Sequence, residues 1–446
     1  MSDDLVQGDR VELTVGAPAH GGHCVARLGG PHGRVVFVRH ALPGEQVTAE
    51  ITELHKGFLR ADAVEIHVAS PGRVTPPCPF AHPGGCGGCD LQHASGDAQL
   101  DWKTAVVREQ LLRLAGLTHS VRVEALPAAS GELRFAEESA AASETAGHAL
   151  SGETFEGVAA TAPAVLLGWR SRVRYAVDAL GRPGLLKHRS HEVVPIDRCR
   201  IAHPAIQELD LLQIEWPDAD ALEAVATTGG DVAVLARRGS APTDDPTEAP
   251  SGFRTRLRGP AEVTEIAAGR SWSLPPSGFW QVHPRAADTL VSTVLEMLEP
   301  AEGEVSWDLY GGAGLFAAAL AMRTKARTTV VEASPMGVAA ARANLADLPG
   351  AEVVEARVDH ALSRRRVTGP VDLVVLDPPR AGAGAKVVKA VAAARPRAVA
   401  YVACDPASLA RDIATFRSLG WELTALRAFD CFPMTQHVEC VALLTP

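Results

Sequence analysis

The pattern of apolar and polar positions divides the chain into three parts. In residues 1–68, short apolar runs alternate with turn-forming glycine and proline. The strands predicted there are 11–15, 35–38, 46–51 and 61–66. Several short strands in so few residues predict a small closed β-barrel of the oligonucleotide-binding type.

From residue 271 onward, apolar strands alternate with helical segments. Predicted strands cover 305–309, 328–331, 352–356, 371–376, 398–403, 422–429 and 438–443, and predicted helices follow residue 314 and cover 335–348 and 408–419. This alternation predicts a doubly wound α/β sheet. The last two strands have no helix between them, which favours a methyltransferase sheet over a dinucleotide-binding one.

Residues 69–270 form the part between these two, and we expect a central α+β domain there. The apolar residues of 100–114 have the spacing of one helix face. Two stretches, 125–164 and 239–252, are rich in small and polar residues and contain few large apolar ones. We expect flexible insertions at both.

Three cysteines of the central part, Cys78, Cys86 and Cys89, lie within twelve residues of a Pro- and Gly-rich stretch. Their C-x7-C-x2-C spacing lacks a local fourth ligand, and Cys199 supplies one far along the chain. Zinc sites usually show two paired ligand knuckles, whereas an isolated fourth cysteine is more typical of iron–sulfur sites. We therefore expect a cluster, with a zinc site completed by a nearby histidine as the alternative. The candidate histidines are His82 and His93.

The composition is that of an ordinary soluble protein, with 446 residues, 46% hydrophobic and 22% charged. The N-terminus is acidic and lacks the apolar core of a signal peptide, and no apolar run reaches membrane-spanning length. We therefore expect a cytoplasmic protein, without membrane association, whose reduced cysteines serve metal binding or catalysis. The sequence implies no protein partner, and we expect a monomer.

The net charge of −10 argues against a generic nucleic-acid binder, but the charges are unevenly distributed. Residues 169–200 carry eight cations against three acids and include Trp169 and Tyr175, which favours a phosphate-contacting patch. These cations are Arg170, Arg172, Arg174, Arg182, Lys187, Arg189, Arg198 and Arg200. A second group, on the barrel, either lines an RNA face or is solvated surface charge. It consists of Arg27, Arg34, Arg39, Lys56 and Arg60.

The candidate chemistry lies where the C-terminal strands end, because ligands bind there in open α/β sheets. Strand 398–403 runs directly into Cys404, which is either a nucleophile or a buried structural cysteine. Gly312 and Gly314 let the backbone approach a ligand, and Glu332, twenty residues past Gly312, can accept from ribose hydroxyls. NAD and S-adenosylmethionine both contain such a ribose.

The strand 371–376 ends in the rigid turn Asp377-Pro378-Pro379, followed by Arg380. Methyltransferases that act on amino groups often place an aromatic residue after such a turn to stack on the target base. Arginine in that place makes amine methylation less attractive. A ring-carbon target instead needs a nucleophile to activate it.

Five motifs, in order, resemble those of the RNA uracil-5 methyltransferase family. They are F-W-Q-V-H (279–283), D-L-Y-G-G-A-G (308–314), L-D-P-P-R-A-G (376–382), A-C-D-P (403–406) and F-P-M-T-Q-H-V-E (432–439). Residues 271–446 resemble the family's class I, Rossmann-like catalytic domain, and the amino-terminal barrel resembles a TRAM domain. The cysteines at 78, 86, 89 and 199 are similar to the family's ligands for a [4Fe–4S] cluster.

The resemblance implies that Cys404 attacks C6 of a uracil, that C5 takes a methyl group from S-adenosylmethionine, and that Glu439 then removes the C5 proton. The residues carried over as cofactor-binding are Gln281, Tyr310, Gly312, Gly314, Glu332, Asp359 and Asp377. By analogy, the cluster and barrel favour a uridine of 23S ribosomal RNA. The alternatives are a transfer-RNA uridine, an RNA-binding or assembly protein without activity, and a dinucleotide oxidoreductase.

The chain departs from the family pattern at four positions. Gly311 stands where the family usually has cysteine, and Leu315 where an asparagine usually contacts the cofactor. His283 and Asp405 each replace a common asparagine. Asp405 directly follows Cys404, so its charge is expected to oppose formation of the thiolate.

Overall fold

The computed structural model describes residues 5–127, 166–238 and 253–446, without the side chains of residues 253 and 254. The predicted insertion at 239–252 and residues 128–164 of the other lie outside the described residues. The first residues of the insertion predicted at 125–164 belong to the folded core, since Ala125 ends a strand and Leu126 is buried. No helix in the described ranges is both long and apolar enough to cross a membrane.

The amino-terminal part is a closed five-stranded barrel, as predicted. Its strands are β1 (Arg10–Ala19), β2 (His23–Leu28), β3 (Arg34–Arg39), β4 (Gln46–Leu54) and β5 (Phe58–Val68), in the order β1-β2-β3-β5-β4 with β4 pairing back to β1. The sequence pattern missed β2 because its inward residues, Cys24 and Ala26, are small and its neighbours are polar. The hairpin between β1 and β2 is tight: Ala19 pairs with His23, and residues 20–22 make the turn.

Helix α1 (Gly96–Ala115) joins the barrel to the C-terminal part of the chain. The Ser95 side chain caps its first turn, and Gly116, in the left-handed region at φ 62°, ends it. Trp102 belongs to the barrel core, whereas Leu111 packs in the core of the C-terminal sheet. The following strand β6 (Val123–Ala125) pairs with the edge of that same sheet.

The central part is built on an antiparallel sheet. Its elements are β7 (Arg172–Val177), β8 (Pro183–Leu186), β9 (Val193–Pro195), the short helix α2 (Pro204–Gln207), β10 (Ala221–Ala226), β11 (Val232–Arg238) and β12 (Phe253–Arg258). The strand order is β12-β11-β10-β7-β8-β9. A separate hairpin, β13 (Val263–Ala267) and β14 (Arg270–Leu274), packs against the C-terminal core.

The C-terminal part is the predicted doubly wound sheet. Its elements are α3 (Ala286–Leu298), β15 (Ser306–Leu309), α4 (Leu315–Thr324), β16 (Thr328–Glu332), α5 (Pro335–Asn344), β17 (Ala351–Glu355), α6 (Val358–Ser363), β18 (Leu373–Leu376), α7 (Gly384–Ala394), β19 (Ala398–Ala403), α8 (Pro406–Ser418), β20 (Glu422–Asp430) and β21 (Glu439–Thr445). The order is β17-β16-β15-β18-β19-β21-β20-β6, with β21 antiparallel to its neighbours.

Both faces of this sheet are covered, which explains its uninterrupted apolar strands. In β19, Val399 and Tyr401 point into one buried cluster, while Ala400 and Val402 point into the other. All six residues of β19 are buried. The strand therefore fixes the position of Cys404, the residue that follows it.

Candidate active site

Cys404 and Glu439 meet where β19 ends and β21 begins. In this antiparallel pair Ala403 lies opposite Cys440. Continuing the register by one residue places Cys404 opposite Glu439, at the separation of a neighbouring pair across two strands. The Glu439 side chain is buried, at 3% exposure. The structure thus brings together the two residues predicted as nucleophile and base, which are 35 positions apart in the sequence.

The surroundings raise the pKa of both groups. Burial raises the pKa of the Cys404 thiol to about 12, and Glu439, Asp377 and Asp405 raise it further while Arg380 opposes them. Burial also raises the pKa of Glu439 well above its usual range, helped by the charge of Asp377 and opposed by Arg380. The surroundings therefore disfavour negative charge on both groups in the free protein, and one cation opposes this effect at each of them.

That cation is Arg380, the residue after the D-P-P turn. Its guanidinium is exposed, and its Nη2 lies 3.3 Å from Nε2 of His437. Burial, followed by the charge of Arg380, lowers the pKa of His437 to about 3, so this imidazole is neutral. Arg380 is therefore the group positioned to favour negative charge on Cys404 and Glu439, a source of activation that the sequence does not reveal.

Asp405 is ionised and has two functions in the structure. Its side chain caps α8 by accepting from the Ser408 amide at 2.7 Å, and it contacts Nε2 of His20 at 2.7 Å. Burial alone would raise the pKa of Asp405, but the hydrogen bonds from His20 and Ser408 prevail and lower it to about 2. The expected opposition to a Cys404 thiolate is present, since Asp405 raises the Cys404 pKa.

The glycine turn after β15 builds the predicted cofactor end of the sheet. Gly312 and Gly314 have φ angles of 53° and 91°, and Tyr310 also lies in the left-handed region at 68°. The Gly312 amide donates to Glu332 at 2.9 Å, which fixes the turn to the end of β16. Backbone amides thus hold the Glu332 carboxylate beside the glycine turn, and its contact with a ribose stays a prediction.

Buried carboxylates concentrate negative charge beside this turn. Burial raises the pKa of Asp308 to about 7, and the same cause, with the charges of Asp308 and Glu332, raises the pKa of Asp377 to about 7. Oδ2 of Asp308 accepts from the Ala317 amide, but its buried Oδ1 has no protein partner. These carboxylates fit S-adenosylmethionine, whose sulfonium and ammonium groups bring positive charge to a group of neighbouring acids.

The remaining predicted cofactor residues are placed less uniformly. Asp359, on α6, is held by Arg357 and Lys386. Burial raises the pKa of the Tyr310 phenol to about 12, and the nearby charge of Asp359 adds to this rise. Gln281 is half-buried before α3, and no hydrogen bond within the described residues joins it to the others. Asp359 and Tyr310 therefore lie at the glycine-turn end of the sheet, whereas only the sequence motif assigns Gln281 to the cofactor site.

The structure gives physical reasons for three of the departures. At Gly311 a Cβ atom would meet the Val330 side chain at 2.5 Å, so this turn has no room for a larger residue. Leu315 begins α4 and packs in the apolar core, and His283 stacks on Trp169 with ring centroids 5.9 Å apart. These side chains are used for packing.

The four cysteines at 78, 86, 89 and 199 line a single cavity. The Gly88 amide donates to Sγ of Cys86 at 3.3 Å, a contact suited to a thiolate. In the described ranges, however, no three His, Cys, Asp or Glu side chains are arranged to hold one metal ion. The candidate histidines face elsewhere, since His82 is exposed and His93 lies 3.5 Å from the Ala41 carbonyl of the barrel.

Three residues that the sequence did not single out have features relevant to the site. Phe279, two residues before Gln281, is 75% exposed, which leaves its ring free to contact a substrate. Asp308 was quoted within a motif but not assigned, although a buried aspartate at a strand end is a detectable signal. No local signal points to His20, because its contact with Asp405 spans 385 positions.

Three family models match successive parts of the chain. They describe a TRAM domain (residues 5–64), a methyltransferase small domain (285–400) and a tRNA (uracil-5-)-methyltransferase (368–446). An uncharacterized RNA methyltransferase of Streptomyces avermitilis is 46% identical over 98% of this chain and 99% of its own. A 23S rRNA (uracil(1939)-C(5))-methyltransferase of Chromohalobacter salexigens is 33% identical over 97% of this chain and 89% of its own.

A solved structure shares the fold along the whole chain. The tRNA (uracil-54, C5)-methyltransferase of Pyrococcus abyssi, in complex with S-adenosyl-L-homocysteine, superposes with a TM-score of 0.67 at 22% identity, covering 98% of this chain and 100% of the other. Sheet order and glycine turn together define a class I, S-adenosylmethionine-dependent methyltransferase. With the relatives above, the chain belongs to the RNA uracil-5 methyltransferase family.

Proposed function

We propose that the protein methylates C5 of a specific uridine, in 23S ribosomal RNA, through a covalent bond between Cys404 and C6 of the base. The observation that carries the proposal is the placement of Cys404 opposite the buried Glu439. A ring carbon that is a poor nucleophile needs both groups: a thiolate to activate it and a base to complete the exchange.

Each residue has a defined task in this reaction. Cys404 releases its proton to water, and the thiolate sulfur forms a bond to C6 while the C5–C6 π electrons move to C5 and the O4 carbonyl as an enolate. Bound S-adenosylmethionine supplies the electrophilic methyl group for C5. Glu439, as carboxylate, then takes the C5 proton, the C5–C6 double bond re-forms, and the C6–S bond breaks to release the thiolate. Arg380 favours both negative charges that the steps require.

A groove of mixed charge lies between the barrel and the β8–β9 loop and has a volume of about 900 Å³. Its lining includes four cations and four acids: Arg39, Arg60, Lys187 and Arg189, and Glu50, Glu53, Asp62 and Glu192. Arg60 and Lys187 pair with Glu53 and Glu192, so the groove supports RNA as the substrate through individual side chains and not through an excess of positive charge. Arg60 also lies over the Phe37 ring at 5.7 Å, which adds an aromatic surface of the kind that binds unpaired bases.

Not every cation of the basic segment is available for RNA. Arg172 donates to Glu265 at 2.8 Å and to the carbonyls of Pro276 and Gly278. Its guanidinium therefore joins β7 to the hairpin and to the loop before Phe279. The prediction of a phosphate contact at Arg172 is replaced by a structural role.

We further propose that the cavity lined by the four cysteines holds a [4Fe–4S] cluster. Zn–S bonds of about 2.3 Å would draw four sulfurs around one ion, whereas a cluster offers each cysteine its own iron and needs ligands around a larger body. The support for the cluster is that all four cysteines line one cavity, which supplies four separate sulfur ligands. Anaerobically purified protein is expected to be brown and to contain iron and acid-labile sulfide; stoichiometric zinc without iron would contradict this.

The choice of ribosomal RNA is supported by the relative from Chromohalobacter salexigens, whose name specifies 23S rRNA. The test incubates full-length protein and labelled S-adenosylmethionine with separate 23S and transfer-RNA transcripts, followed by mass spectrometry of the nucleosides. 5-Methyluridine in 23S RNA alone is the expected result. 5-Methyluridine in transfer RNA alone would show that the substrate is transfer RNA and not 23S RNA. Label on adenine or cytosine would contradict methylation of uracil C5.

A further inference from the structure

The β1–β2 hairpin of the barrel reaches the nucleophile's end of the C-terminal sheet. At its tip, Nε2 of His20 lies 2.7 Å from Oδ2 of Asp405. The next residue, Gly21, donates its amide to the Gln436 side chain at 3.2 Å. The hairpin thus contacts both the residue after Cys404 and the loop that leads into Glu439.

Contacts with Asp90 hold the hairpin in this position. Asp90, of the cysteine-rich stretch, accepts from the Gln436 amide at 3.1 Å and lies 3.7 Å from Arg39 of the barrel. A Cβ atom on Gly22 would meet the Asp90 side chain at 2.9 Å, so only glycine allows this close approach. The barrel, the cysteine-rich stretch and the catalytic loop share one contact region.

The direction of the hydrogen bond between His20 and Asp405 follows from the chemistry of the carboxylate. Asp405 is ionised and can only accept, so Nε2 of His20 carries the proton. The side chains are 36% and 21% exposed, respectively, so water screens the contact only in part. A proton of the barrel therefore lies against the negative charge next to Cys404.

We propose that His20 is a positioning residue of the methylation reaction: it offsets the Asp405 charge beside the nucleophile and ties the barrel to the end of β19. The inference rests on the proposed function only for the role of Cys404 as nucleophile. It gives the barrel a task at the reacting end of the sheet in addition to any contact with RNA.

The charged and titratable groups around this contact define what else acts on Cys404. They are Glu439 on β21, Asp377 and Arg380 after β18, His437 in the loop before β21, and Cys440 on β21. Of these only Arg380 is a cation, so Asp405 would add to an excess of acids around the thiol. An Asp405 that is paired with His20 opposes the thiolate less than an unpaired one.

The test measures the rate at which iodoacetamide alkylates Cys404 in the full-length free protein, resolved by peptide mass spectrometry across pH. His20→Ala is expected to slow the reaction at neutral pH by roughly threefold to tenfold, as one nearby unpaired charge would. His20→Gln keeps an N–H donor, so it is expected to slow the alkylation less than His20→Ala does. His32→Ala, an exposed histidine in the turn after β2, is the matched control and should leave the rate unchanged.

The second variant separates electrostatics from folding. Asp405→Asn removes the charge and keeps a good cap for α8, so it is expected to raise the alkylation rate, and His20→Ala is expected to have no further effect on that background. Equal slowing by His20→Ala in both backgrounds, or no slowing in the native one, would overturn the proposal. The assay needs no RNA, so a failure to form 5-methyluridine would be seen separately and would count against the proposed function.

Discussion

Nζ of Lys103, on α1, lies 2.5 Å from Oδ1 of Asp430, at the end of β20, and the two side chains are 0% and 4% exposed. Lys103 also donates to the Phe432 carbonyl, and Asp430 accepts from the Phe432 amide. This ion pair therefore holds the start of the loop 431–438, whose far end is Glu439. Helix α1 contributes to the active site without touching it.

Lys103→Met is expected to lower the free energy of unfolding by about 3–5 kcal/mol, because it leaves the Asp430 charge buried and unpaired. The double variant Lys103→Met/Asp430→Asn should recover part of this loss, since the amide has no charge and can still accept from Phe432. Urea unfolding followed by circular dichroism measures both. A double variant less stable than the single one would contradict the importance of the buried charge.

Glu439→Gln is expected to stop the reaction after methylation of C5, because no base removes the C5 proton and the C6–S bond cannot break. RNA covalently bound to the protein should accumulate and run as a slower band on a denaturing gel. Cys404→Ala should abolish both turnover and the band. Turnover by Cys404→Ala would exclude the covalent route.

The carboxylates at the glycine turn predict how cofactor binding depends on pH. The pKa values of Asp308 and Asp377 are each about 7, so both lose their protons as the pH rises through that value. The affinity for the cationic S-adenosylmethionine, measured by calorimetry, should rise between pH 6 and 8, with a smaller rise in Asp308→Asn. A flat profile in the native protein would show that these groups do not face the cofactor.

Deprotonation of the same two aspartates, which favours cofactor binding, lowers the stability of the ligand-free protein. Their folded pKa values lie above the ordinary aspartate value of 3.8, so the folded state binds more protons than the unfolded state between about pH 4 and 7. Their contribution to stability is complete below that window and is lost as the pH rises through 7. Cofactor is expected to restore part of it.

Gly303 and Gly314 have the same φ of 91°, so alanine substitutions at the two positions distinguish the cost of backbone strain from that of a steric clash. A Cβ on Gly314 would meet Leu345 at 2.9 Å, whereas one on Gly303 would meet nothing within 4 Å. Gly303→Ala should cost about 1–2 kcal/mol of unfolding free energy from strain alone. Gly314→Ala should cost more and also weaken S-adenosylmethionine binding; equal costs would mean that Leu345 moves aside freely.

Phe279→Ala tests whether the exposed ring stacks on a base of the RNA. Stacking contributes about 1–3 kcal/mol per base, so the KM for RNA should rise by roughly fivefold or more while the free energy of unfolding stays unchanged, because the side chain is 75% exposed. Leu180→Ala, at the 66% exposed tip of the β7–β8 turn, is the control. An unchanged KM would assign no RNA contact to Phe279.

The central strands of the C-terminal sheet could be predicted closely because β18 and β19 are uninterrupted apolar runs. Strand 398–403 has the predicted limits, and helix 335–348 ends earlier, at Asn344. Pro406, two residues after Cys404, is the first residue of α8, a position that suits proline. The barrel was predicted without β2, because small inward residues give a weak alternation.

The motifs by themselves determined the family and its class of reaction, because these depend on residue types at strand ends and in short loops. The roles of Cys404, Glu439 and the four cysteines follow from the same resemblance and stay predictions. Only the tertiary structure showed how the barrel and helix α1 pack against the C-terminal sheet. His20 and Asp405 are 385 positions apart, and Lys103 and Asp430 are 327 apart. Local periodicity specifies which face of an element is buried but not which distant side chain it will meet, and so the contribution of the barrel and of α1 to the catalytic end of the sheet became visible only in the fold.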